Sequence, residues 1–183
     1  RYILKVDEEL PGSISLLITG DEEGPAINGT TKVLDWMSNN NEVIDACIVG
    51  EPTNPDYLGQ MIKIGRRGSF TGWLTVTGVQ GHTAYPHLAE NPLSKLVKML
   101  EPLAEEQLDQ GTEYFPPTTA AISSIDTGNS ASNVIPQKVT ASFNIRFNDA
   151  RTAEDIEKWL RAHFDSVGGN YTLETACSSN AFI

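Results

Sequence analysis

The residues of this chain best suited to chemistry begin with an acidic triplet, Asp21, Glu22 and Glu23, in the run GDEEGP that ends at Pro25. Just before it, Ile14, Leu16, Leu17 and Ile18 form an apolar stretch too short for a helix of ordinary length. That pattern predicts a buried strand stopping at Gly20. Carboxylates at the carboxyl end of a strand in an open α/β sheet stand where ligands and metal ions bind. The same cluster also reads as a solvated turn capping the next helix, which is what charge runs usually are. A second apolar run, Ala46 to Val49, ends in a similar way at Gly50-Glu51-Pro52. Further along, Asn144 and Arg146 alternate with apolar neighbours, which places polar groups on one strand face, open to a ligand.

The elements that must position these groups can be read from spacing. Asn28 is placed to cap a helix whose apolar positions are Val33, Leu34, Trp36 and Met37, ending in the Asn39–Asn41 run. Strand, helix and strand at this spacing predict a βαβ unit with a right-handed crossover and parallel strands. Glu22, Glu23 and Glu51 are then expected at one edge of one sheet. Such a sheet needs further strands and helices on both faces. Residues 1–10 read as the tail of a helix through Tyr2, Ile3 and Val6, closed by Pro11-Gly12.

From Gln60 the pattern changes, and a domain boundary is expected near Gly68. Gln60–Gly65 reads as a strand, and Phe70–Thr77 alternates as a half-exposed antiparallel strand does. Gly78–His87 lacks periodicity and reads as a loop. Asn91-Pro92 opens a helix with Leu93, Leu96, Val97, Leu100, Leu103 and Ala104 on one face, which Pro102 should kink or divide. Thr118–Thr127 is a strand, Gly128–Asn133 a polar turn, and Val139 to Phe147 a strand with Val139, Ala141, Phe143, Ile145 and Phe147 facing one way. Thr152 with Asp155 resembles a capping box, opening a helix with the stripe Ile156, Trp159, Leu160, Phe164 and Val167. Gly168-Gly169 ends it, and Tyr171–Cys177 is the last strand. The order from Ser69 is βαββαβ, a ferredoxin-like arrangement with both helices on one face of an antiparallel sheet. The chain is thus read as α/β, with a partial parallel-sheet domain over residues 1–67 and a complete ferredoxin-like domain over 68–180.

Composition narrows the partners. Of 183 residues, 39% are apolar, enough for a packed core, and 24 acidic against 13 basic residues give a net charge of −11. That balance disfavours nucleic acid and anionic membranes as partners. No apolar run reaches membrane-spanning length, and the first residues lack the features of an export signal, so a cytoplasmic location is expected. Cys47 and Cys177 lie far apart without CxxC spacing and are expected to be buried free thiols, as suits a reducing cytosol.

The motifs GDEEGP, VGEPTN, GRRGS, GVQGHTAYPHLAENP, SNVIP and FNIRF occur in the order and near the spacing of the co-catalytic zinc amidohydrolases and carboxypeptidases, and the whole chain resembles that family. GVQGHTAYPHLAENP and SNVIP are most similar to its desuccinylating branch, with the deacetylating branch as the alternative. The resemblance implies hydrolysis of a small dicarboxylate amide by water activated on a pair of zinc ions, with cobalt or another divalent metal as an alternative ion. Glu22 would be the general base, and Glu23 and Glu51 ligands of one ion each, with Asp21 a turn residue. His82 would stabilise the tetrahedral oxyanion in the partner subunit's site, while Arg146, Asn133 and one of Arg66 or Arg67 would hold substrate carboxylates.

Residues 1–67 would belong to the catalytic domain, 68–180 would form the lid and homodimerisation domain, and 181–183 would start the return to the catalytic domain. The family's upstream His-x-Asp segment, its bridging Asp and a downstream His have no counterpart in these 183 residues. On that ground the chain is expected to cover a middle portion and to be inactive as it stands, serving only as a dimerising module. Each residue has a plainer reading as well. The paired arginines suit ordinary surface charge, Glu51-Pro52 a strand end, Arg146 a surface ion pair, and His87 and His163 exposed helix or loop positions.

Overall fold

The computed structural model describes residues 12–105 and 107–183, so the helical tail expected at residues 1–10 lies outside the described residues. The chain divides into two compact units at Pro52/Thr53, ahead of the boundary read near Gly68. No helix among the described residues is long and apolar enough to cross a membrane.

In the first unit the one regular element described is α1, Thr30–Asn39. It starts behind Gly29 rather than an Asn28 cap. Asn28 instead gives its N–H to Asp21 Oδ2 at 2.9 Å, beside the N–H of Ile27 at 2.8 Å. The two expected parallel strands are not formed. Ile14–Ile18 and Ala46–Val49 run without ladder pairing, and their side chains are exposed, Leu16 by 87% and Ile48 by 98%. A parallel strand is stabilised by neighbours on both edges and helices on both faces, and the described residues of this unit supply neither. The strand expected at Gln60–Gly65 is also absent; beyond it only an isolated bridge joins Arg66 to Phe182.

The second unit has the expected βαββαβ order. Its sheet is β1 (Gly68–Thr77), β3 (Thr119–Asp126), β5 (Lys138–Phe147) and β6 (Asn170–Ser179), arranged β3-β5-β1-β6 and antiparallel throughout. Two-residue strands β2 (Gly81–His82) and β4 (Val134–Ile135) pair separately. Helices α2 (Pro92–Ala104) and α3 (Ala153–Val167) cover one face.

Strict alternation on β5 sends Val139, Ala141, Phe143, Ile145 and Phe147 into the core, against Phe70, Leu74 and Val76 of β1. From α2 come Leu96, Met99, Leu100 and Leu103, and from α3 Ile156, Leu160 and Phe164. Val97, expected in the α2 stripe, is exposed, because the positions that share a face at 3.6 residues per turn are 96, 99, 100 and 103. Truncating a fully buried phenylalanine such as Phe143 is expected to cost about 3–5 kcal/mol.

The caps follow the sequence. Asn91 Oδ1 accepts from the N–H of Leu93 with Pro92 at the first helical position, and Thr152 and Asp155 form a reciprocal capping box. The Thr152 hydroxyl and N–H hold the Asp155 carboxyl below its ordinary pKa. Pro102 does not divide α2, which runs on to Ala104. A proline there leaves the carbonyl of Lys98, one turn earlier, without its helical N–H. His163 of α3 takes that place, its Nε2 lying 3.0 Å from the Lys98 carbonyl oxygen.

A polar cluster fastens the segment before β3. Asp109 Oδ1 accepts from the N–H groups of Gly111 and Thr118 and from Asn148 Nδ2, each at 2.9 Å, and Oδ2 lies 3.3 Å from Arg151 Nε. Burial pushes the Asp109 carboxyl up, but the bonds from Thr118, Gly111 and Asn148 outweigh it and hold it below the usual carboxylate value. Both cysteines are free, as expected, but exposed rather than buried. Cys47 sits in the unpaired run, and Cys177 lies on edge strand β6.

Candidate functional site

In the first unit Glu22 and Glu23 occupy the exposed turn Glu22–Pro25, and Glu51 is exposed near the unit's end. The hydrogen bonds of Asp21 to the N–H groups of Ile27 and Asn28 give that residue a turn-holding role and leave its two neighbours projecting from the turn. No three His, Cys, Asp or Glu side chains gather at metal-binding distance among the described residues. Zinc favours sets containing nitrogen or sulfur, so these glutamates alone do not make a zinc centre.

In the second unit the candidates fall into two groups. The first surrounds the start of β1. Arg146 of β5 stands opposite Ser69 of β1 and Thr119 of β3, on the face away from the helices. It is exposed, without an ion-pair partner among the described residues. Arg67 Nη1 donates to the Pro117 carbonyl at 3.1 Å and to Thr119 Oγ1 at 3.4 Å, which holds a second guanidinium beside the Arg146 row. Arg66 is tied by its backbone to Phe182 and keeps an exposed side chain. One row on, Asn144 Nδ2 donates to Ser69 Oγ at 3.2 Å and Thr71 Oγ1 at 3.0 Å. Two cations among uncharged hydroxyls form a surface suited to a carboxylate.

The second group lies past the other end of β1. His82 on β2 pairs with Val134 of β4, and the N–H of Thr83 donates to the Asn133 carbonyl at 3.0 Å, so His82 and Asn133 share one small sheet. That sheet is anchored at the Thr77 end, where Gly78 N–H donates to the Gln137 carbonyl and Lys138 faces Thr77. Ser69 and Thr77 are eight residues apart, which at about 3.3 Å per residue is about 26 Å along the strand. Arg146 and His82 of one chain therefore belong to opposite ends of the sheet. Sequence reasoning grouped Asn133 with Arg146; its backbone pairing groups it with His82.

Within its loop the His82 ring is exposed, and its Nδ1 accepts the N–H of Ala84 at 3.0 Å. Tyr85 stands beside it, ring centroids 6.0 Å apart, and the His87 ring lies 6.4 Å from that of Tyr85. Sequence reasoning singled out neither the Ala84 amide nor Thr119. A backbone amide leaves no mark in side-chain patterns, whereas Thr119 becomes visible only once strand register is known.

The model of the M20 peptidase dimerisation domain matches residues 64–172. The chain belongs to the M20 peptidase dimerisation-domain family. Among curated relatives, the chain is 62% identical over 172 residues to a protein of Rhodospirillum centenum named succinyl-diaminopimelate desuccinylase, covering 94% of this chain and 45% of that protein. It is 54% identical over 180 residues to one of the same name from Parvibaculum lavamentivorans, covering 96% and 46%. The chain thus spans about half the length of the curated relatives it matches. Among solved structures it is similar to a putative aminohydrolase from methicillin-resistant Staphylococcus aureus, with 26% identity and a TM-score of 0.52, over 64% of this chain and 32% of that one.

Proposed function

We propose that the protein this chain belongs to is a cytoplasmic homodimer that hydrolyses the amide of N-succinyl-LL-2,6-diaminopimelate to succinate and LL-2,6-diaminopimelate. The observation that carries this reading is the 62% identity over 94% of the chain to a relative of that name. Glu23 and Glu51 are proposed ligands of a zinc pair, with cobalt or another divalent ion as an alternative. Glu22 is the proposed base, removing a proton from the attacking water and passing it to the leaving amine. The described carboxylates do not by themselves assemble a metal centre, and none of the binding roles that follow passes through it.

Arg146, with Arg66 or Arg67, holds a substrate carboxylate, for which a guanidinium fork is well shaped. His82 donates a hydrogen bond to the developing oxyanion, and Asn133 binds substrate beside it. Because these two groups stand at opposite ends of one sheet, a single substrate meets both when they come from two subunits related by a twofold axis.

The test is turnover by the purified full-length protein loaded with zinc, on N-succinyl-LL-2,6-diaminopimelate and, in parallel, on acetylornithine. Selective release of succinate is expected. A preference for acetylornithine, or no turnover of either by a folded dimer, would count against the proposal.

A further inference from the structure

The loop Gly78–Glu90 is closed on itself. Val79 and Glu90 exchange both backbone hydrogen bonds at 2.9 Å, and Lys95 Nζ reaches Glu90 Oε1 at 2.9 Å from the first turns of α2. Two glycines make this closure sterically feasible. A Cβ at Gly78 would collide with the Glu90 carbonyl oxygen, and a Cβ at Gly81 would lie 2.6 Å from Ala89 Cβ, closer than carbon atoms can approach. Ala89 has no flexible side chain to swing aside, so a methyl at position 81 must displace β2 or the strand-like segment that carries Ala89. Inside this frame the Tyr85 N–H donates to the His82 carbonyl at 2.9 Å, which sets the turn that points the Ala84 N–H at His82 Nδ1.

An imidazole nitrogen that accepts a hydrogen bond carries no proton, so a neutral ring in this position holds its proton on Nε2. We propose that the Gly78–Glu90 loop is a preformed holder that fixes the His82 imidazole as the Nε2–H tautomer, with the Ala84 amide and the Gly81–Ala89 contact as its positioning elements. His82 then presents a hydrogen-bond donor outward before any substrate arrives. In that state it cannot serve as a proton acceptor through Nδ1, which is already engaged. The catalytic consequence rests on the reading of His82 given above, while the tautomer itself does not.

The experiment uses the full-length protein labelled with 15N-histidine, with His82 resonances assigned by their loss in His82→Gln. Long-range proton–nitrogen correlation in mildly alkaline buffer reports which ring nitrogen carries the proton. A single Nε2–H form, with scalar coupling across the Ala84 N–H to Nδ1, is expected. Gly81→Ala should give mixed tautomers and lower kcat by about 10- to 100-fold with KM little changed, as expected of a misplaced catalytic group. Moving the methyl across the contact, in Gly81→Ala/Ala89→Gly, should restore both the spectrum and kcat.

An Nδ1–H form or an even mixture in the wild type overturns the holder, and that spectrum decides whether or not the variants fold. A Gly81→Ala protein with wild-type tautomer and kcat overturns the role of the Gly81–Ala89 contact. A pure Nε2–H form in a protein with no turnover of either amide supports the holder and counts against the proposed reaction.

Discussion

At Arg146 an exposed guanidinium stands in a row of hydroxyls with a second guanidinium anchored beside that row, and the proposed function gives it a binding role rather than one in bracing the fold. Arg146→Ala in the full-length protein is expected to raise KM for the proposed succinyl substrate by at least about tenfold, the scale of a lost charge-assisted hydrogen bond of about 1.5–3 kcal/mol, while thermal stability is retained. Arg146→Lys should recover only part of the loss, because an ammonium lacks the planar fork. Steady-state kinetics with a melting curve checks both. Asp109 is the contrasting case, a residue that holds structure. Asp109→Ala removes the acceptor of three short hydrogen bonds and is expected to cost about 1–3 kcal/mol. Its folded pKa is depressed, so its contribution is complete above the unfolded carboxylate value and is lost as pH falls through the folded one. Denaturant titrations should therefore show the gap between wild type and Asp109→Ala closing on acidification and staying constant on the alkaline side.

Between α2 and α3, one imidazole offsets one proline. If His163 supplies the donor that Pro102 lacks, His163→Ala should cost about 1–2 kcal/mol in the wild-type background, and clearly less in Pro102→Ala, where residue 102 regains an N–H for the Lys98 carbonyl. Equal costs in the two backgrounds, measured by urea denaturation, would show that His163 acts by packing alone. This compensation was not legible in the sequence, since His163 and Pro102 are linked only by helix packing. What could be read was local: the alternation of Val139 to Phe147, the Thr152–Asp155 box and the Asn91-Pro92 start all stand where spacing put them. Antiparallel strands announce themselves because each has one wet and one dry face. Ile14–Ile18 and Ala46–Val49 read as strands for a different reason, a continuous apolar run, and that signal gives no information on which neighbours complete the ladder. The candidate site was legible as residue types, but the separation of Arg146 from His82 and Asn133 needed strand register.

For the molecule as a whole, that separation makes a genetic prediction. In a mixed dimer of Arg146→Ala and His82→Ala subunits, one site receives both lesions and the other neither, so up to about half of the wild-type activity per dimer should return. Asn133→Ala should likewise recover when mixed with Arg146→Ala, yet not when mixed with His82→Ala, because Asn133 and His82 travel on the same end of the same sheet. Recovery in the Asn133→Ala/His82→Ala mixture, after proven subunit exchange, would refute the grouping. The same geometry turns β1 into a ruler. On the proposed reading the strand fixes the distance between the two sites of a dimer, because Arg146 at one end serves one site and His82 past the other end serves the second, and that distance can be re-graduated only in steps. Adding a matched pair of residues to each strand of the sheet would preserve every inward and outward face yet lengthen the span by about 6.6 Å. A protein so altered would be expected to fold and to dimerise with its two sites spaced farther apart.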